Sequence, residues 1–536
     1  MRIILQVFCA TFSAIIFSAA IQNELLPFGS PLLGLLALAP LYLALRGSRS
    51  YLESSLLTGL QLLLVHLMSS FWLGFFRDFA IFTLGASALG TGVIGMVFGC
   101  YLHYFVGGRS RSVSIDARPP FPPLFFAAIW TLYEWAKSTG FLAYPWGTLV
   151  MTAYQWPLVI QIVDITGTWG LSFLFSLFSA LLGEALYLWG TNMAGRDDIL
   201  RCRQAAACCA ALFTATILYG IWQLSREWVP IKRMETVMVQ QNIDSWVVGG
   251  DTLPIQISQG LTDVAVEECL AATGGKPDLV VWSESVLSYT FPESEPYYHH
   301  NPLPRPVIPY MEEVGVPFVV GGTTTVDREQ GMYSNSALFF DGDGAYRGHY
   351  AKMQLVPFAE VIPGAKYEWV RKLLDALVGF SSGWTPGTEL ALFDVPLKSG
   401  GKATISIPIC FEDAFPTVCR ALYQAGSEVF VNITNDSWSM TRSAEYQHFA
   451  IASYRAIEFR TTLVRSTNSG YSVVVNPLGQ VLADMPLFEA ASLHTTVPIY
   501  ERRATVYSLM GNWVPASCFV LVVLCLVQVE RKRRRA

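Results

Sequence analysis

Ile405-Ser406-Ile407-Pro408-Ile409-Cys410-Phe411-Glu412-Asp413 is an apolar, isoleucine-rich run that ends abruptly in a thiol and two carboxylates. Such a run reads as a strand buried on both faces, and the polar residue at its end as a group delivered to the edge of a sheet. Two other stretches share this form. Leu279-Val280-Val281-Trp282-Ser283-Glu284-Ser285 ends an apolar run in a carboxylate, and Tyr350-Ala351-Lys352-Met353 sets a cation before Leu355-Val356-Pro357-Phe358-Ala359-Glu360.

Working outward, strand-like runs recur at residues 236–239, 318–320, 337–340, 404–409, 429–433 and 472–475. Stretches of helical period separate them at 261–272, 417–425 and 444–460, the last with Phe449, Ala452, Ala456 and Phe459 on one face. Alternation of this kind predicts an α/β domain, here over residues 232–503.

The rest of the chain has another character. Of the 536 residues 52% are hydrophobic and only 14% charged, against about 25% charged in soluble domains, and the mean hydropathy is +0.39. A crossing helix needs about 20 mostly apolar residues. Candidate spans lie at 3–21, 32–45, 56–76, 81–105, 123–135, 165–188, 205–222 and 514–529. The expected organisation is a membrane region at 1–231 with about seven helices, the α/β domain, and one further helix with a basic tail at 504–536.

Lysine and arginine in short loops mark the cytoplasmic side. Arg2, then Arg46 and Arg49, then Arg109, Arg111 and Arg118, then Arg196, Arg201 and Arg203, and the tail all fall in alternate loops. That pattern predicts a cytoplasmic N-terminus and an extracytoplasmic α/β domain. The rival reading of residues 3–20 as a cleaved signal peptide leaves every later loop on the same side. Glu134 is the ionisable residue hardest to place within the spans, and Lys137, at i+3, is its expected partner.

The net charge of -5 gives no basic field, and the dense basic run is confined to Arg531-Lys532-Arg533-Arg534-Arg535, so nucleic-acid binding is excluded. Cys269, Cys410 and Cys419 are the cysteines of the α/β domain, an odd set that makes no disulfide framework. Metal-ligand spacing is absent, and neither a metal nor a cofactor is expected.

A nucleophile, a base and a cation are the parts required for covalent acyl transfer. A free thiol titrates near 8.5 and needs a base or a nearby cation to be nucleophilic at neutral pH. Glu284 is positioned in sequence to take the Cys410 proton, and Lys352 to stabilise thiolate and oxyanion. Singly, each residue reads as a buried thiol, a solvated strand end or a surface ammonium. The set, 68 and 58 residues apart, is what carries the signal.

Trp-Ser-Glu-Ser around Glu284, Tyr-Ala-Lys-Met-Gln-Leu-Val-Pro-Phe around Lys352 and Ile-Cys-Phe-Glu-Asp around Cys410 resemble the Glu, Lys and Cys motifs of the nitrilase (carbon-nitrogen hydrolase) superfamily. With the surrounding spans the chain is similar to the apolipoprotein N-acyltransferase family over nearly its whole length. Gln240-Gln241-Asn242-Ile243 with Trp246, Asn435-Asp436-Ser437-Trp438, Gln447-His448, Arg455-Ala456-Ile457-Glu458, 465–470 and Tyr144-Pro145-Trp146-Gly147 extend the likeness.

The resemblance implies a polytopic helical bundle of about eight spans plus a nitrilase-like αββα sandwich. It implies transfer of an acyl chain from a membrane phospholipid to Cys410, then to the α-amino group of a lipoprotein's diacylglyceryl-cysteine. The implied setting is the bacterial inner membrane with the catalytic domain on the periplasmic side, acting as a monomer. Glu284 is then the general base, Lys352 the oxyanion and thiolate stabiliser, and Cys410 the nucleophile. Glu360 and Glu412 match supporting glutamates, and Trp246 and Phe411 match residues at the site. Phe411 stands where the family usually has Tyr, and Gln241 where it commonly has Gly or Pro.

An acyl chain of some sixteen carbons would cost on the order of 12 kcal/mol to draw into water, at about 0.8 kcal/mol per methylene. Apolar residues beside the site are therefore expected to line a groove or lid, with Trp246, Phe411 and the loop 376–384 (Leu377, Val378, Phe380 and Trp384) as candidates. The alternative activity is a membrane-tethered amidase or nitrilase that uses water as acceptor on the same triad.

Overall fold

The apolar stretches of the sequence become helices, and where they are interrupted proline is the cause. The computed structural model describes residues 1–75, 80–107, 121–191, 196–243, 249–357, 359–361, 367–369, 372 and 383–535. The chain packs as two units, Met1–Arg226 with Leu509–Ala536, and Glu227–Ser508.

In the first unit six helices are long and apolar enough to cross a membrane: Arg2–Ala20, Tyr51–Ser69, Thr83–Val106, Thr168–Thr191, Ile199–Ser225 and Trp513–Arg531. Two of the eight expected spans are shorter. The second is split into Pro31–Leu36 and Ala39–Arg46, because Pro40 has no N–H to offer the Leu36 carbonyl. Pro122–Lys137 runs for 16 residues and starts on Pro122-Pro123, which suit only a first helical turn.

The buried charged side chains Arg46, Glu184, Glu134 and Lys137 of this unit find partners, as apolar surroundings demand. Arg46 forks onto Glu184 at 2.7 and 2.8 Å, and Tyr42 donates to the same carboxylate at 2.8 Å. Glu134 and Lys137 direct their hydrogen bonds elsewhere than the expected i, i+3 pair. Glu134 accepts from Trp130 Nε1 at 3.0 Å, the Leu149 N–H at 2.8 Å and Ser172 Oγ at 2.5 Å, while Lys137 donates to the carbonyls of Trp146 and Gly147 at 2.5 and 3.2 Å.

The strands of the second unit are β1 (Lys232–Gln240), β2 (Leu279–Trp282), β3 (Thr290–Phe291), β4 (Phe318–Asp327), β5 (Met332–Phe340), β6 (Tyr346–Ala351), β7 (Phe393–Pro396), β8 (Lys402–Ser406), β9 (Val429–Thr434), β10 (Thr462–Thr467), β11 (Val473–Val475), β12 (Val481–Asp484) and β13 (Ala491–Ile499). One sheet has the order β13-β1-β2-β4-β5-β6, with β3 beside β4, and the other β12-β11-β10-β9-β8-β7. Both follow one plan. Three parallel strands form the centre, β1, β2 and β4 in the first and β8, β9 and β10 in the second, with antiparallel strands outside them.

β2, β9 and β10 are buried at every position, as parallel strands covered on both faces must be. The sheets meet at Ser466, whose Oγ lies 3.2 Å from the carbonyls of Val239 and Val281. Helix Thr252–Thr273 packs on β1 and β13, and helix Arg442–Phe459 on β10, which completes an αββα sandwich. The strand expected at 404–409 stops at Ser406, since Pro408 has no N–H to continue the ladder, and Ile409 rejoins it by a single bridge to Ile433. The parallel centres open their carboxyl ends to the same edge, where α/β folds place reactive groups.

Candidate active site

Cys410, separated from the end of β8 by three residues, begins the tight turn Cys410–Ala414 with φ at +48°. A cysteine in the left-handed region is strained, and it stays there only because its surroundings fix it. The carboxamide of Asn432 on β9 supplies part of that restraint by donating to the carbonyls of Pro408 at 3.0 Å and Cys410 at 3.1 Å. Glu412 supplies the rest. Its Oε2 accepts the Ile409 N–H at 2.8 Å, and its Oε1 accepts the N–H groups of Met353 and Gln354 at 2.7 and 3.0 Å and the Tyr350 hydroxyl at 3.0 Å. One buried carboxylate therefore fastens the turn that begins at Cys410 to the segment that carries Lys352.

Glu284 follows β2, and its approach depends on Gly321 of β4. A Cβ at Gly321 would lie 2.5 Å from Glu284 Cα, Ser283 O and Ser285 N, so only glycine lets the strands come this close. Glu284 Oε1 accepts from Asn335 Nδ2 at 2.6 Å, and its Oε2 accepts the backbone N–H of Asn435 at 2.7 Å. Lys352 follows β6 and is buried. Its Nζ lies 2.7 Å from Glu360 Oε1 and 3.5 Å from Glu284 Oε1, and Asn335 also reaches Glu360, at 3.2 Å.

Burial pushes the Glu284 carboxyl above its usual range; Lys352 opposes this and Glu360 adds to it. Burial alone would lower the Lys352 ammonium, but the charges of Glu360, Glu284 and Cys410 hold it well above its usual value. Burial and the Glu284 charge push the Cys410 thiol well up, against the pull of Lys352. The site thus sets a thiol whose proton is held tightly beside a carboxyl group and a fixed cation, the parts that base-assisted thiol attack requires.

The structure brings Glu284, Lys352, Cys410, Glu360 and Glu412 together. Phe411 is buried with its ring on Phe415, centroids 4.6 Å apart, and so fills core space beside the nucleophile. Gln241 is buried and accepts from Ser283 Oγ at 2.8 Å, next to Glu284. Trp246 and residues 376–382 of the expected lid lie outside the described residues. Asn335, Asn432 and the Asn435 N–H are working parts that the strand-end pattern does not reveal. Among the described residues no cluster of three or more His, Cys, Asp or Glu side chains is placed to hold a metal ion.

The model of the carbon-nitrogen hydrolase family matches residues 240–505 and that of the apolipoprotein N-acyltransferase N-terminal domain matches residues 13–181. A Treponema denticola apolipoprotein N-acyltransferase 2 is 45% identical over all of this chain and all of its own length. The Treponema pallidum apolipoprotein N-acyltransferase 2 is 40% identical, with 95% of this chain and 92% of that protein covered. The chain belongs to the apolipoprotein N-acyltransferase family. The Borreliella burgdorferi apolipoprotein N-acyltransferase, 30% identical over 98% of this chain and 95% of its own, extends the likeness. An apolipoprotein N-acyltransferase of this build is a bacterial membrane enzyme of the nitrilase superfamily that acylates lipoproteins.

Proposed function

We propose that the acyl donor is a membrane phospholipid and that the acyl chain passes through a thioester on Cys410. Glu284 takes the thiol proton, and the sulfur attacks the phospholipid ester carbonyl. Lys352 faces the oxyanion, and collapse expels the glycerol oxygen, which leaves as lysophospholipid with the proton returned by Glu284. The free α-amine of the acceptor's diacylglyceryl-cysteine then attacks the thioester. Glu284 takes the amine proton and returns it to the departing sulfur, leaving an amide and the thiol. Glu360 holds the Lys352 ammonium, Glu412 holds the two loops, and Trp246 and Phe411 contribute apolar contacts.

The observation that carries this reading is the buried Lys352 ammonium, 2.7 Å from Glu360 and 3.5 Å from Glu284 and within electrostatic reach of Cys410, in a chain with apolar helices before and after the α/β domain. A bilayer-embedded enzyme avoids the cost, on the order of 12 kcal/mol, of moving a sixteen-carbon chain into water. Residues 1–231 and 504–536 are accordingly the membrane regions, and 232–503 the catalytic domain. The alternate-loop placement of Arg2, Arg46, Arg49, Arg201 and Arg203 supports a periplasmic catalytic domain on the cytoplasmic membrane.

The test is incubation of the purified protein with phospholipid and a diacylated lipopeptide, with products read by mass spectrometry. Gain of one acyl chain on the peptide amine is expected. Free fatty acid or ammonia without peptide acylation would favour the amidase reading instead. From phospholipid alone a hydroxylamine-labile acyl-enzyme should form; its persistence in Cys410→Ala would remove Cys410 as nucleophile.

A further inference from the structure

Behind the nucleophile's turn lies a buried set of charges that the triad does not use. Asp413, three residues after Cys410, accepts from Arg465 Nε at 2.9 Å with Oδ2, and its Oδ1 lies 2.9 Å from His448 Nε2. The other ring nitrogen, Nδ1, lies 2.9 Å from Asp436 Oδ2. All four side chains are buried. Asp436 directly follows Asn435, whose N–H holds Glu284 at 2.7 Å. A single imidazole on helix Arg442–Phe459 therefore joins the turn that carries the nucleophile to the loop that holds the base.

The protonation state follows from the neighbours. A neutral imidazole has one N–H and one lone pair, so between two carboxylates it would set a lone pair against an anion. An imidazolium donates on both sides. Arg465 on β10 balances the second aspartate, lying 2.9 Å from Asp413 and 3.9 Å from Asp436. Glu445, on the same helix as His448, accepts from Ser439 Oγ at 3.1 Å. Burial and the Asp436 charge raise its pKa well above the carboxylate range. Lys352 and Cys410 both lie within electrostatic reach of Asp436. Burial by itself would lower the His448 pKa, but Asp436 and Asp413 reverse that against Arg465 and hold it at about 9.

We propose that His448, as an imidazolium, is a positioning residue for acyl transfer: it clamps Asp413 to Asp436, so aligning Cys410 with Glu284, and loss of its proton at alkaline pH releases the alignment. This rests on the triad reading above, with Cys410 as nucleophile and Glu284 as base. A neutral His448 keeps at most one of the two contacts, and the freed aspartate is left as a buried anion facing a lone pair. Relief of that repulsion moves either the turn that begins at Cys410 or the loop that presents the Asn435 N–H. A misplacement of about 1 Å costs about 10²-fold in rate.

The experiment uses the full chain in mixed phospholipid and detergent micelles and follows the initial rate of lysophospholipid release from pH 6 to 10. The wild-type rate should fall about tenfold per pH unit above its alkaline limit. Asp413→Asn removes one of the two carboxylates that hold the proton on His448, and should move that limit down by at least about one pH unit, with KM for phospholipid within about twofold. His448→Gln, still folded near neutral pH but with a lowered melting temperature, should lose about 10²-fold in kcat at unchanged KM and lack the alkaline limb.

If His448→Gln does not fold, the shift in Asp413→Asn decides the matter alone. An alkaline limb at the wild-type pH in Asp413→Asn, or one still present in a folded His448→Gln, overturns the clamp. Cys410→Ala run in parallel separates the two levels. An acyl-enzyme that persists there brings down the triad reading itself, whereas a silent Cys410→Ala beside unmoved limbs brings down the clamp and leaves the triad standing.

Discussion

Replacing Asn335 with alanine removes one amide that donates to two carboxylates, the buried Glu284 at 2.6 Å and the partly buried Glu360 at 3.2 Å. A hydrogen bond to a charged group contributes about 1.5–3 kcal/mol, and the bond to Glu284 favours that residue's ionised form. At about 1.4 kcal/mol per pKa unit, its loss raises the pKa of Glu284 by about one to two units. In the proposed role Glu284 acts as a base only when ionised, so activity should climb as pH rises through its pKa. Raising that pKa therefore moves the acid limb of the rate profile toward alkaline pH by the same one to two units. The assay is the initial rate of lysophospholipid release from pH 4.5 to 8, with the melting temperature measured beside it. Near neutral pH the variant is slower, and raising the pH recovers part of the loss. An acid limb that stays at the wild-type pH in a folded Asn335→Ala protein would show that the titrating base is a group other than Glu284.

Glu412→Gln keeps the shape but replaces one acceptor oxygen with an N–H₂ group, so at least one of the four donors now gathered on it must face another donor. The cost is about 1–3 kcal/mol, read as a melting temperature lower by about 2–4 °C per kcal/mol and as slower acyl-enzyme formation; an unchanged melting temperature would contradict the four-donor arrangement. Gly321→Ala places a methyl group 2.5 Å from three backbone atoms around Glu284, and overpacking of this kind costs about 1–3 kcal/mol, so both melting temperature and rate should fall. His448 also makes stability depend on pH. Its folded pKa of about 9 stands above about 6.5 in the unfolded chain, so its contribution of about 3 kcal/mol is complete below about pH 6.5 and is lost as pH rises through about 9. Melting temperatures from pH 6 to 10 should decline more steeply for wild type than for His448→Gln, and equal slopes would count against a charged His448.

The legible parts of this molecule are those where a polar residue interrupts an apolar run. Glu284 stands out because Leu279–Trp282 is an apolar parallel strand buried at every position, and Cys410 because it ends the isoleucine-rich run 405–409, whose Ser406 is paired inside with Ser427. The helices of the first unit are legible for the complementary reason, since apolar length alone specifies them, and their breaks fall where Pro40 and Pro122 remove donors. β10 is the central failure of that logic. Thr462-Leu463-Val464-Arg465-Ser466-Thr467 is buried throughout yet polar at four of its six positions, because Arg465 pairs with Asp413, Ser466 reaches carbonyls of the opposite sheet, and Thr467 bonds Gln240 and Ser472. A hydropathy pattern sees polarity and cannot see that these side chains find partners inside.

The same reasoning explains which site residues stayed hidden. Asn335 lies within β5, away from any strand end, and Asn435 acts on Glu284 through a backbone N–H that carries no side-chain signature. Glu412 and His448 hold loops rather than react, so their value lies in what they connect. The proposed acyl transfer needs a thiol that stays protonated until a substrate ester arrives and a base that stays ionised despite burial. Three reacting groups alone cannot maintain that poise, because burial drives Glu284 and Cys410 toward their neutral forms and Lys352 toward losing its charge. The amides, backbone donors and second carboxylates around them set the balance, and they come from β5, β9 and the segments after β6 and β8, far apart in the chain and adjacent only once both sheets have formed.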